Sequence, residues 1–206
     1  SALFENSALV PISLSLTSKT TSTHDGEYSS VNKVIGNGAF YKISPSTSTG
    51  YKITPANWLS QYFNTSKQVT FAFWVKNMNG YVRQRIIKQT SIVIEQISKR
   101  IQVSVGDGSS YTDWGESLDY NIWTHIAVLI NLTTGTSNNN VVKVYKNGIE
   151  LTTTTSGIYS VGSGFNNDSS EFQFCCDDNP DNNSGFKGYL DDFRIYDKVL
   201  TSKEIE

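Results

Sequence analysis

Gly188-Tyr189-Leu190-Asp191-Asp192-Phe193-Arg194-Ile195-Tyr196 is the stretch on which the reading of the fold turns. Side chains alternate across a strand, so strict alternation puts Tyr189, Asp191, Phe193 and Ile195 on one face. Phe193 and Ile195 mark that face as the core side, and Asp191 is expected to look inward with them. A carboxylate carried inward is costly unless it gains a counterion or several donors. Asp192 and Arg194 face the other way and read as a surface ion pair.

Outward from this segment the same period recurs. Val69, Phe71, Phe73 and Val75 alternate through Val69-Thr70-Phe71-Ala72-Phe73-Trp74-Val75, with Trp74 on the other face. Ile92 and Ile94, then Ile101, Val103 and Val105, form a further pair of strands. Trp123 introduces another, carrying Ile126, Val128 and Ile130. Val141 to Lys146 ends in Asn147-Gly148, the strongest short hairpin signal, and Ile149 opens the return strand. Phe172 and Phe174 mark one more. A helical period is expected only at the end, where Thr201-Ser202-Lys203-Glu204 has the form of a capping box, with Leu200 and Ile205 as apolar anchors. Residues 17–23 and 44–50 read as loops, and the first strand is not legible.

The 206 residues fit one domain, 1–206, large enough to hold a core without disulfide staples. Only 17% of residues are charged, below the ~25% of an average soluble protein, and Ser, Thr and Asn fill about a third of the chain. Thr favours strands and Asn favours turns, which again points to β structure with many loops. The net charge of −2 gives no basic footprint for nucleic acid. No stretch approaches the ~20 apolar residues of a membrane span. Cys175 and Cys176 are adjacent, so neither has a long-range disulfide partner; they read as two free thiols or as a strained vicinal disulfide.

Four segments, in order, resemble the laminin-G-like / concanavalin A-like lectin/glucanase superfamily, particularly its pentraxin-like bacterial and viral branch. They are Gly36-Asn37-Gly38-Ala39-Phe40, Phe71-Ala72-Phe73-Trp74-Val75-Lys76, Trp123-Thr124-His125-Ile126-Ala127-Val128 with Val144-Tyr145-Lys146-Asn147-Gly148, and Gly188 to Tyr196 closing with Leu200 and Glu204-Ile205. The resemblance implies an all-β fold, a two-sheet antiparallel jelly-roll sandwich with a short C-terminal helical turn. It also implies a structural Ca²⁺ at Asp191, the alternative being that loop amides satisfy the carboxylate. A second oxygen-rich run, Asp177-Asp178-Asn179-Pro180-Asp181, places Asp177, Asn179 and Asp181 at the alternate spacing of calcium loops. It lacks the Gly at the sixth position and the Glu at the twelfth, so a solvated turn is the other reading.

Glucanases on this fold carry a Glu-x-Asp-x-x-Glu strand, because retaining hydrolysis needs two carboxyl groups ~5–5.5 Å apart. No such triplet occurs around Glu95, Glu116, Glu150 or Glu171, and no nucleophile elbow, zinc motif or phosphate loop occurs. His125 reads as a strand residue. The chain is therefore expected not to be an enzyme. Sugar recognition calls for an aromatic face beside planar polar groups, on loops at the sandwich edge or on the concave sheet, and the candidates are Tyr111, Asp113 and Trp114, with Asn79, Tyr81, Arg83 and Arg85; Trp114 reads equally as a core anchor. These features describe a glycan-binding or adhesion module of a larger extracellular, cell-surface, virion or phage-fibre protein, with calcium as a cofactor and a glycan as partner. The competing reading is a structural or protein–protein module, for oligomerisation or capsid decoration. No nucleic acid and no membrane insertion are expected.

Overall fold

The computed structural model describes residues 15–18, 27–36, 39–42, 51–54, 58–78, 83–89, 91–98, 100–105, 112–116, 118–134, 141–153, 172–175 and 186–206. Two antiparallel sheets face each other. The first runs β1 (Ser15–Ser18), β4 (Tyr51–Thr54), β13 (Phe172–Phe174), β6 (Arg83–Gln89), β7 (Ile92–Ile97), β8 (Arg100–Val105) and β9 (Thr112–Trp114). The second runs β12 (Ile149–Glu150), β11 (Val142–Lys146), β10 (Trp123–Asn131), β5 (Gln68–Asn77), β14 (Gly188–Tyr196), β3 (Ala39–Lys42) and β2 (Glu27–Ser29). Strands distant in sequence lie side by side, as with β14 between β5 and β3, which gives the jelly-roll sandwich.

Alternation builds the core. Val69, Phe71, Phe73 and Val75 of β5 and Ile126, Val128 and Ile130 of β10 are buried against Ile92, Ile94, Ile101 and Val103 of the first sheet. An aromatic cluster ties the layers together. Phe193 lies 5.8 Å from Phe73 and meets Phe174 edge-on at 4.7 Å, while Phe71 faces Phe172 at 6.0 Å. Each fully buried ring of this kind is worth about 1.5–3 kcal/mol over an exposed one.

The hairpin forms where its turn signal stands. Asn147 and Gly148 have φ of 50° and 80°, the paired positive values of a two-residue turn, and Lys146 lies opposite Ile149. The C-terminal helix also forms: α2 (Ser202–Ile205) has Thr201 as N-cap. A second short helix, α1 (Trp58–Phe63), was not legible; only Leu59 and Phe63, one helical turn apart and both buried, mark its inner side. Residues 17 and 18 belong to β1 rather than a loop, because β1 is held to β4 by its backbone ladder and needs no apolar pattern. The loop expected over 44–50, and Cys176, lie outside the described residues; Cys175 is buried.

Strict alternation fails in β14. Asp191 lies opposite Trp74 and Arg194 opposite Ala72, so three steps on β14 match two on β5. The extra residue is Asp192, at φ 45°. This bulge resets the register: Phe193 and Ile195 stay in the core, but Asp191 shares its face with Trp74 and Tyr189, away from the core. The expectation that Asp191 points into the core with Phe193 is thereby overturned.

Candidate functional site

The outward face of the second sheet is where the chemistry gathers. Ladder partners Trp74 and His125, and beside them Ala72 and Ala127, emerge on this side of β5 and β10. The two alanines are small enough to leave a depression, and the C-terminal segment walls it on one side. Leu200 and Ile205 pack over Ala72, Ala127, Leu129 and Tyr145. Thr70 Oγ1 donates to the Lys198 carbonyl at 2.7 Å and accepts the Leu200 amide at 3.2 Å, pinning that segment to the sheet. The result is a groove of about 480 Å³, within the usual range of small-ligand sites.

Its floor and rim combine aromatic and polar groups. The Trp74 and His125 rings lie 5.3 Å apart, tilted by 51°, and both are half-buried. Burial holds the His125 imidazole below its ordinary value of 6.5, with Asp192 pulling it up and Arg194 pushing it down. The ring is therefore neutral at pH 7, with one nitrogen to donate and one to accept. The Asn147-Gly148 turn forms one end of the rim, and the Asn147 side-chain carbonyl accepts the His125 amide at 2.8 Å. Asp192 and Arg194, brought to this side by the bulge, form the expected ion pair at 2.9 Å, and Glu204 and Glu206 complete the rim on the helix side.

The residues singled out from the sequence are dispersed. Trp114 is 1% exposed and belongs to the core cluster, so its ring is not available to a ligand. Arg83 and Arg85 are strand residues of β6, not loop residues, and their guanidinium groups are held by Glu95 at 3.5 and 3.0 Å. Glu95 is fully buried, so both cations are committed to compensating it. Asp113 lies in β9 opposite Gln102, also in a strand rather than a loop. Tyr111, Asn79, Tyr81, Asp177, Asn179 and Asp181 lie outside the described residues.

Asp191 does not fit a calcium site. Its Oδ2 accepts the amides of Val34 and Ile35 at 2.6 and 2.9 Å, and its Oδ1 accepts the amide of Asp192 at 2.8 Å. Three N–H dipoles thus point their positive ends where a cation would have to sit. Among the described residues no cluster of three or more His, Cys, Asp or Glu side chains could hold a metal ion.

Trp74, His125, Asn147 and the Asp192–Arg194 pair were the residues that loop-based reasoning missed as a site. The signal that could have found them is the alternation itself, which already placed Trp74 away from the core.

Solved structures with the same architecture share little sequence. Domain 4 of AbnA, an extracellular arabinanase of Geobacillus stearothermophilus solved with arabinotriose, superposes with a TM-score of 0.61 at 19% identity, over 93% of this chain and 85% of that one. The binding domain of botulinum neurotoxin DC, solved with rat synaptotagmin II, gives 0.59 at 18% identity over 93% of this chain and 45% of that one. A putative carbohydrate binding protein from Bacteroides ovatus gives 0.53 at 14% identity, over 68% and 40%. A search of curated protein sequences returned no match. The family model described as the concanavalin A-like lectin/glucanases superfamily matches residues 45–206, and with the two-sheet sandwich already in view the chain belongs to that superfamily.

Proposed function

We propose that this chain is a non-catalytic glycan-binding module that seats a neutral sugar in the groove over Trp74. The observation that carries this reading is the half-exposed Trp74 ring on the floor of a groove of about 480 Å³, beside a neutral imidazole and under a rim of planar polar groups. An aromatic face packs against the C–H surface of a sugar, while His125, Asn147 and Arg194 meet its hydroxyls. The charge balance favours a neutral ligand: Arg194, the one guanidinium on the rim among the described residues, is paired to Asp192, and Glu204 and Glu206 would repel an acidic sugar. The solved relatives include a domain in complex with arabinotriose and a putative carbohydrate binding protein, which agrees with this reading without deciding it. The module would act outside the cell as part of a larger protein.

A glycan array covering neutral and acidic sugars tests this directly. Binding is expected among neutral glycans and is expected to fall at least tenfold in Trp74→Ala with the fold retained. A broad array without a single hit would sink the reading. Release of sugar from a polysaccharide panel by the purified protein would show instead that the module is catalytic. A second reading, a protein–protein module, is favoured by the exposed apolar side chains Val31, Ile35, Tyr120, Ile122 and Ile149. Self-association on a sizing column together with a blank array would select it.

A further inference from the structure

Trp123 lies beyond the groove, yet on the same outward face. It is two residues from His125 on β10, so the two side chains leave the sheet on one side about 7 Å apart, comparable to the length of one sugar ring. Across the ladder Trp123 lies opposite Lys76, just as His125 lies opposite Trp74. Packing of the core does not explain this ring, because the core is on the other side of the sheet and Trp123 is only half-buried. Its neighbour is Tyr189, 6.0 Å away, which in turn stacks on Tyr41 at 4.2 Å.

The segment that leads into Trp123 is pinned to β5, where the Asn121 amide bonds to the Asn77 carbonyl at 2.7 Å. Polar groups flank Tyr189. Asn32 accepts from Lys76 Nζ at 3.3 Å and donates to the Tyr189 hydroxyl at 3.1 Å. Aromatic surface beside planar polar groups is the same combination that Trp74 makes with Asn147 and the Asp192–Arg194 pair.

We propose that Trp123 forms a second subsite adjoining the groove, so that the ligand is an extended neutral oligosaccharide with successive sugars on Trp74 and Trp123. This deepens the glycan reading and rests on it. The test is calorimetric titration of linear xylo-, cello- and arabino-oligosaccharides of one to six sugars. For the series that binds, the wild-type affinity is expected to rise at least tenfold between the shortest ligand bound and the tetrasaccharide. Trp123→Ala should abolish that rise and leave the shortest ligand within twofold of wild type. An affinity independent of chain length, or an equal loss at every length in Trp123→Ala, overturns the second subsite and leaves the groove standing. No binding by any oligosaccharide overturns both readings.

Discussion

Asp191 carries its charge on the outward face of a strand yet is only 8% exposed, because the chain around Val34 and Ile35 folds over it. Its carboxylate acts as a staple: one side chain satisfies three backbone amides that would otherwise lose their partners. Asp191→Ala is accordingly expected to cost about 2–3 kcal/mol, as removal of charge-assisted hydrogen bonds does, read as a lower urea midpoint. Asp191→Asn keeps an acceptor and should recover part of the loss. Thr124 is the opposite case. It lies opposite Val75 on the core side, is fully buried, and its hydroxyl finds no hydrogen-bond partner among the described residues. Thr124→Val replaces that hydroxyl by a methyl of similar size and is expected to stabilise the fold by about 1 kcal/mol, seen as a higher melting temperature.

At the scale of elements, β14 and the C-terminal segment build most of the groove wall. Gly188 opens β14 at φ 151°, and a Cβ there would lie 2.1 Å from the Lys76 carbonyl oxygen, so the close approach of β14 to β5 requires glycine. The bulge at Asp192 then turns two consecutive acidic residues outward, one to anchor a loop and one to pair with Arg194. The helix α2 was legible from its capping box, and its Glu204 carboxylate does accept the Thr201 amide at 2.8 Å. Lys198 first, and then Thr201, hold the Glu204 carboxyl down at about 2, against an ordinary 4.5. A folded-state value below the unfolded one means that this stabilisation is complete above pH 4.5 and is lost as pH falls towards 2. The difference in melting temperature between wild type and Glu204→Gln should therefore be constant near neutral pH and shrink to nothing between pH 4.5 and about 2. Glu204 is exposed, so the effect should also weaken with added salt.

For the whole molecule, the sequence by itself determined the sandwich. The period-two spacing of large apolar residues in Val69–Val75, Ile126–Ile130, Ile92–Ile94 and Ile101–Val105, and the turn signal at Asn147-Gly148, are local properties that any β fold of this chain must satisfy. The site was another matter. Loop composition pointed to Trp114 and Arg83, but a strand edge buried the first and Glu95, on a neighbouring strand, claimed the second. Trp74, His125, Asn147, Asp192 and Glu206 come from three strands, one turn and the cap of the C-terminal helix, spread over more than 130 positions, and only the pairing of β14 and β10 with β5 makes them neighbours. The orientation of Asp191 was decided by a one-residue bulge. Whether a strand bulges depends on how its partner strand and the layers above and below accommodate an extra residue, and that energy is not written in the strand itself. Patterning determined which residues are buried; tertiary pairing decided which polar and aromatic groups share one surface.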